Sequence, residues 1–279
     1  MRKYVWLLRL LIAGTIAGGN FASTAVGNFG HQLVDKDALP SVDAELVIAV
    51  DVSYSMDEDE LVVQREGYAQ AVISDEFLQA LKAGPSKRLA VTYFEWSASD
   101  DQRIIVPWRL IDGPESADAL AAEIMKTPVR RGSRTSISGA IHFAIPLFDQ
   151  NPYHGLRRVI DISGDGANNE GPPVTKARNA ALEKGITING LPIMVKGATV
   201  SMMDIDDLDF YYEDCVIGGP GSFMLAIRER EKFKEAIKTK LTLEVAGRTP
   251  AYRIVPAAES GPRVSCGIGE EIWERRSRW

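Results

Sequence analysis

The stretch Leu46-Val47-Ile48-Ala49-Val50-Asp51-Val52-Ser53-Tyr54-Ser55 decides the fold of this chain. Its first five residues form a continuous apolar run, which is typical of a strand covered on both faces in a parallel sheet. The run ends directly in Asp51, and hydroxyl side chains follow at Ser53 and Ser55. Because ligands of open α/β sheets bind beyond the carboxyl ends of strands, this turn is the first candidate functional segment.

Strand-like and helix-like segments alternate through the rest of the chain. We predict strands over residues 46–50, 89–96, 103–111, 158–162 and 186–193, and helices over 57–81 (with a break near Ser74), 116–125, 135–148, 173–184 and 228–243. Polar residues 97–101 separate two β-rich segments, which predicts a hairpin at one edge of the sheet. The alternation predicts an α/β fold, doubly wound, with a mostly parallel central sheet and helices on both faces. Residues 247–279 lack clear periodicity and are predicted to form an extended tail.

The amino terminus has the pattern of a secretory signal peptide. Basic residues at positions 2–3 precede a short apolar core, and small residues follow, with a predicted cleavage after Ala25. The apolar core is much shorter than the ~20 residues that a spanning helix needs, and no later segment is long enough. The mature chain is therefore predicted to be exported, periplasmic or secreted, and to have no membrane span.

Composition and charge narrow the classes of partner. The chain has 279 residues, of which 45% are hydrophobic and 25% charged, with a net charge of −6 and no stripe of basic residues, so nucleic acid is excluded as a partner. Two cysteines cannot make a four-thiolate zinc site. In exported proteins, cysteines are more often paired than free, so we expect a bond between Cys215 and Cys266. This bond would tether the tail of residues 247–279. Two unpaired buried thiols are the alternative.

Three segments offer oxygen ligands at one edge of the predicted sheet. Asp51, Ser53 and Ser55 place one carboxylate and two hydroxyls in the first turn. Thr135 follows a glycine-containing loop before a helix, and Asp165 lies between two glycines after the strand that ends at residue 162. Hard oxygen ligands suit Mg²⁺, which prefers an octahedral shell and keeps several waters.

This combination resembles the von Willebrand factor A domain and its metal-ion-dependent adhesion site, over about residues 43–246. That site is written Asp-x-Ser-x-Ser, then a distant Thr, then a distant Asp before Gly. The residues in these positions here are Asp51, Ser53, Ser55, Thr135 and Asp165. The resemblance implies a bound Mg²⁺ (or Mn²⁺ or Ca²⁺), aspartates that often reach the metal through water, and an open position. A protein partner would supply a carboxylate to that position. It implies binding without turnover, and hence that the protein is not an enzyme.

The first motif is also similar to the inserted domain of integrin β subunits. By that resemblance, Glu58 and Asp59 match the acids of an adjacent calcium site, which makes them candidates for a second metal. The alternative is a capping box, in which Asp57 and Glu60 close the first turn of a helix.

Two other functions compete with adhesion. Asp51 and the Gly164-Asp165-Gly166 segment also resemble haloacid-dehalogenase-type phosphatases, but Ser53 and Asn169 stand where those enzymes have aspartates. The other competing function is that of an exported scaffold with a purely structural metal. The stretch 211–221 is similar to one found in uncharacterised exported bacterial proteins of the von Willebrand A superfamily, and it implies no function of its own.

Overall fold

The structure is a computed structural model that describes residues 39–195, 205–248 and 261–278. The predicted signal peptide of residues 1–25 lies outside the described residues. The strands are β1 (Ser41–Val42), β2 (Ala44–Asp51), β3 (Leu89–Trp96), β4 (Gln102–Ile111), β5 (His154–Gly155), β6 (Arg158–Gly164) and β7 (Ile186–Pro192). The helices are α1 (Glu58–Val72), α2 (Asp75–Ala83), α3 (Pro114–Lys126), α4 (Ile137–Leu147), α5 (Val174–Glu183), α6 (Leu208–Tyr211), α7 (Phe233–Ala246) and α8 (Ile268–Ser277).

The main sheet has five strands in the order β4-β3-β2-β6-β7. The β2 strand pairs in parallel with β3 and β6, and β6 pairs in parallel with β7. The β3 and β4 strands form the antiparallel hairpin predicted at the edge. After β2 the chain builds one half of the sheet and then crosses to β6 on the other side of β2. The carboxyl ends of β2 and β6 therefore form the switch point at which such sheets bind ligands.

The β2 strand is apolar throughout because helices cover both faces of the sheet. All eight of its residues are buried. Alternate side chains of a strand point to opposite faces. Leu46 and Ile48 accordingly pack into a core with Tyr68 of α1 and Leu120 of α3, among others. Residues 47 and 49 pack on the other face, in a second core with α4 and α5. The doubly wound α/β prediction is confirmed.

Helix boundaries follow local capping signals. The predicted break at Ser74 is real, because its hydroxyl accepts a hydrogen bond from the Phe77 amide at 3.3 Å and caps the amino terminus of α2. The helix α7, predicted over residues 228–243, begins later than predicted, at Phe233, after a 3₁₀ turn over Arg230–Lys232. None of the helices in the described part of the chain is long and apolar enough to cross a membrane.

The carboxyl-terminal region corrects the sequence prediction. Residues 247–279 were expected to be an extended tail, but Ile268–Ser277 form the helix α8. Gly269 is the one buried residue of α8, which explains why no apolar periodicity reveals this helix. The predicted tether is confirmed, since Cys215 and Cys266 form a disulfide with a Cα–Cα distance of 5.5 Å.

A buried ion cluster lies between β6 and α7. Lys240 contacts both Asp161 and Glu244, and each of the three side chains is about 1% exposed. Asn189 also donates to Glu244, at 3.2 Å. Burial and the neighbouring Asp161 charge raise the pKa of Glu244 to about 7, against the opposing charge of Lys240. This cluster places a titratable group in the core without connecting it to solvent.

Candidate metal centre

The first turn of the site begins where β2 ends. Asp51 is fully buried, and its Oδ1 accepts a hydrogen bond from the Ser53 amide at 2.7 Å. The backbone of Ser53 forms an isolated parallel bridge with Gly132, which brings the loop before Thr135 to this turn. The Gln64 side chain supports the turn from α1 by donating to the Asp51 carbonyl at 3.1 Å.

Two serines connect the first turn to the end of β6. Ser53 Oγ lies 2.8 Å from Ser55 Oγ, and the Ser55 hydroxyl donates to Asp165 Oδ1 at 2.6 Å. Ser53 is buried and Ser55 is exposed, so this row of oxygens leads from the sheet edge to the surface. The structure therefore brings together side chains that are 110 positions apart in the chain.

Thr135 reaches the same place from a different loop. Its amide donates to Asn169 Oδ1 at 3.1 Å, and its carbonyl accepts from the Asn169 amide at 2.8 Å. A methyl group added at Gly166 would lie 3.7 Å from Thr135 Oγ1, so this hydroxyl lies beside the residue that follows Asp165. The five residues predicted to bind metal thus come from three segments that lie next to one another at one rim of the sheet, with Thr135 beside Gly166.

The Asp51 carboxylate is in an unfavourable environment. Its Oδ2 is buried and has no hydrogen-bond partner. Burial, followed by the nearby Asp165 charge, raises the pKa of Asp51 well above its usual value, although hydrogen bonds from Ser53 and from the backbone of Asp165 oppose the shift. A methyl group at Gly164 would lie 2.9 Å from Asp51 Oδ2, so glycine at this position lets β6 approach the carboxylate closely.

Two asparagines that sequence reasoning did not assign to the site hold its loops. Asn169 connects the segment after β6 to Thr135. Asn168 accepts from the Ser138 amide at 2.9 Å through Oδ1 and thereby fixes the first turn of α4. The Gly-Asp-Gly-Ala-Asn-Asn run was the available signal, because asparagine side chains commonly replace backbone partners in turns. The same contacts give Asn169 a structural role, where the phosphatase resemblance would need an acid.

The rim of the site carries an exposed aromatic and a cation. Tyr54 is 61% exposed between the two serines of the first turn. Arg131 donates to the Tyr54 carbonyl at 2.6 Å, and its guanidinium carbon lies 5.2 Å from the centre of the Tyr54 ring. Tyrosine and arginine are residue types that commonly dominate protein interfaces, and here both lie next to the candidate site.

The acids after the first motif serve the helix. Asp57 Oδ1 accepts from the Glu60 amide at 2.7 Å, and Glu60 Oε2 accepts from the Asp57 amide at 3.0 Å, which is the predicted capping box. Glu58 and Asp59 are exposed in this first helical turn, where acids stabilise the positive end of α1. A second cation at Glu58 and Asp59 stays a prediction.

Among the described residues, no group of three or more His, Cys, Asp or Glu side chains could hold a metal ion. A cation at this rim would depend instead on two carboxylates supplemented by three hydroxyls. That donor set is all oxygen and suits a hard divalent cation rather than a thiolate or imidazole metal.

Comparison with known proteins places the chain in a family. A family model described as "Protein of unknown function (DUF1194)" matches residues 41–249. The chain belongs to this family. The matched DUF1194 region contains all five site residues and ends before α8. No curated protein is similar enough in sequence to be matched.

Solved structures share the fold at low sequence identity. Proximal thread matrix protein 1 from the mussel byssus, with a zinc-occupied MIDAS motif, is 16% identical with a TM-score of 0.53, over 75% of this chain and 49% of that one. The pilus adhesin SpaC of Lactobacillus rhamnosus GG is 11% identical with a TM-score of 0.52, over 76% and 31%. A von Willebrand factor type A protein from Catenulispora acidiphila is 17% identical with a TM-score of 0.49, over 74% and 43%. This DUF1194 chain spans less than half of each of these proteins. Its fold is von Willebrand factor A-like, as the sequence resemblance implied.

Proposed function

We propose that this protein is an exported adhesion-type module that binds a protein partner through a divalent cation. The cation is Mg²⁺, with Mn²⁺ or Ca²⁺ as possible substitutes, and its ligands are Asp51, Ser53, Ser55, Thr135 and Asp165. The partner supplies a carboxylate to the position that the protein leaves open. The proposed action is binding without turnover.

The observation that carries this proposal is the unpartnered Oδ2 of Asp51. Buried polar atoms are almost always hydrogen-bonded, and a buried charge without a partner is especially costly. Here the orphaned oxygen belongs to a carboxylate that also faces the charge of Asp165. A divalent cation at this rim would supply the missing partner and offset the repulsion between the two acids.

The spacing of the other oxygens fits the same cation. Adjacent ligands of an octahedral Mg²⁺ with bonds of 2.0–2.1 Å lie about 3 Å apart. Ser53 Oγ to Ser55 Oγ is 2.8 Å, and Ser55 Oγ to Asp165 Oδ1 is 2.6 Å. The two serine hydroxyls and the Asp165 carboxylate are therefore already at nearly the separation that neighbouring metal ligands need.

Charge balance explains why such a cation would bind an acidic partner. Two carboxylates neutralise Mg²⁺, while the three hydroxyl ligands add no charge. A carboxylate from outside would thus meet a cation that the protein has not over-neutralised. The exposed Tyr54 and its neighbour Arg131 extend the same rim and would contact whatever surrounds that carboxylate.

The comparisons support this proposal at the level of the fold. One structural neighbour holds zinc in its MIDAS motif, and another is a pilus adhesin. Export is supported by the disulfide, because such bonds persist in oxidising compartments and are rare in reducing ones.

The test is calorimetric titration of the full mature chain with Mn²⁺ and with Mg²⁺. We expect the wild type to bind the cation at this rim and Asp51→Ala to lose that binding, whereas the control Gly166→Ala binds normally because its methyl group makes only ordinary contacts. Wild-type affinity in Asp51→Ala would contradict the assignment.

The partner is tested by using the chain as bait for exported proteins. A partner held in Mg²⁺ should be released by EDTA while circular dichroism shows that the fold persists. If Mg²⁺ raises the melting temperature but leaves capture unchanged, the metal is structural and the adhesion function is wrong.

A further inference from the structure

The helix α8 is fixed to the body of the protein by covalent and ionic contacts. The Cys215–Cys266 disulfide lies two residues before its first turn. Just upstream, Arg263 donates to Glu213 at 2.6 Å and to Asp214 at 2.7 Å. These anchors attach the segment to the helical turns that follow β7. The position of α8 is thus specified by more than its own small apolar contact.

One face of α8 presses on the loop that carries Asp165. A methyl group added at Gly269 would come within 2.1 Å of the Asn168 carbonyl oxygen, so this glycine allows direct contact between helix and loop backbone. In the same turn, Glu270 Oε1 accepts from Asn168 Nδ2 at 2.7 Å. Asn168 is the residue that also fixes the first turn of α4 through the Ser138 amide.

A second contact from α8 reaches the loop that carries Thr135. The Arg134 guanidinium carbon lies 3.3 Å from the centre of the Trp273 ring, which is a stacked cation–π contact. Arg134 has a φ of +69°, a left-handed conformation that residues other than glycine adopt only when their surroundings impose it. Trp273 therefore supports a strained residue immediately before Thr135.

We propose that α8 is a positioning element for the cation site. Gly269 and Glu270 hold the loop that carries Asp165. Trp273 holds the loop that carries Thr135, so two of the three ligand segments depend on this one helix. The inference rests on the proposed function. It adds a device that lies outside the region matched by the family model, which ends at residue 249.

The physical reason for a positioning helix is that it preorganises the metal ligands. The ligands Thr135 and Asp165 come from loops, and each loop would otherwise have to be ordered when the cation arrives. Groups that orient metal ligands without touching the metal change affinity by about 10–100-fold when they are removed. A helix that merely added stability would leave the affinity of the folded protein unchanged.

The decisive experiment compares two glycine substitutions, Gly269→Ala and Gly267→Ala, in the full chain. At Gly267 the added methyl group would approach nothing closer than 3.6 Å, so this variant is a matched control on the same segment. Mn²⁺ dissociation constants are measured by calorimetry well below the melting temperature of each variant. We expect Gly269→Ala to bind about 10-fold more weakly and Gly267→Ala to match the wild type.

Trp273 provides a second variant that does not depend on a backbone clash. Trp273→Ala should weaken Mn²⁺ binding, and Trp273→Phe should restore most of it because an aromatic face remains for Arg134. Arg278→Ala removes a guanidinium that pairs with Glu274 at 3.8 Å, and it should leave Mn²⁺ binding unchanged. Trp273→Ala decides the question if Gly269→Ala fails to fold.

The outcomes separate the two proposals. Unchanged Mn²⁺ affinity in Trp273→Ala, together with a lowered melting temperature, would show that α8 only stabilises the fold and would overturn this inference alone. A wild-type chain that binds no Mn²⁺ would overturn both this inference and the proposed function.

Discussion

Replacing Asp51 by asparagine should change the stability of the protein in opposite directions with and without a cation. The amide keeps an oxygen that can accept the Ser53 amide proton at the 2.7 Å now observed. It removes the buried charge whose Oδ2 has no partner. A buried unsatisfied group costs about 1–3 kcal/mol, and more when it is charged. In EDTA at pH 7.5, Asp51→Asn should therefore be more stable than the wild type, because an unpaired neutral amide group costs less to bury than an unpaired charge.

The cation reverses this order. A ligand present at 1,000 times its Kd stabilises the folded state by about 4.1 kcal/mol. For a chain of this size, that corresponds to a rise in melting temperature of about 8–16 °C. Asp51→Asn should show none of this stabilisation by the cation. The wild type therefore becomes the more stable protein once Mg²⁺ or Mn²⁺ saturates the site.

The assay is thermal unfolding followed by circular dichroism, in EDTA and in saturating cation. Asp118→Asn is the matched control, since it removes an exposed aspartate from α3 and should shift neither curve. An Asp51→Asn variant that retains the wild-type response to cation would refute the assignment of Asp51 as a metal ligand. A variant that is less stable than the wild type in EDTA would show that Asp51 is not an uncompensated charge.

Three further outcomes follow from the same structure. Gly164→Ala should abolish Mn²⁺ binding in a calorimetric titration, because its methyl group would come within 2.9 Å of Asp51 Oδ2; normal binding would show that β6 can shift away. Replacing both Cys215 and Cys266 by alanine should lower the free energy of unfolding by about 4 kcal/mol, because the bond closes a loop between residues 51 positions apart and so reduces the entropy of the unfolded chain. Urea denaturation measures this loss, and a loss below ~1 kcal/mol would contradict the prediction. Glu244 has a folded pKa raised from 4.5 to about 7 by burial, so the folded state binds the extra proton and stability falls as pH rises from 4.5 through 7. In Glu244→Gln, the free energy of unfolding should fall over this pH range by up to about 3 kcal/mol less than in the wild type. Denaturant titrations that give the variant the pH profile of the wild type would contradict the raised pKa of Glu244.

Local sequence signals determined most of the sheet and part of the site. The β2 strand could be predicted because burial on both faces requires an unbroken apolar run. The break at Ser74 could be predicted because a serine hydroxyl can cap a helix locally. The hydroxyls and carboxylates at the ends of β2 and β6 were readable because parallel strands end at the same edge. These signals depend on neighbours within a few residues, which the chain order fixes.

Only the tertiary structure decided what distant segments do to one another. The helix α8 has almost no apolar periodicity, and its place comes from a disulfide and from contacts to the loops at Arg134 and Asn168. Lys240 and Glu244 look like an ordinary exposed helical pair, yet Asp161 of β6 makes them a buried cluster. The sequence alone determined which residues could bind a cation. Which of their oxygens lack a partner depends on burial and on long-range packing, and these exist only once the chain has folded.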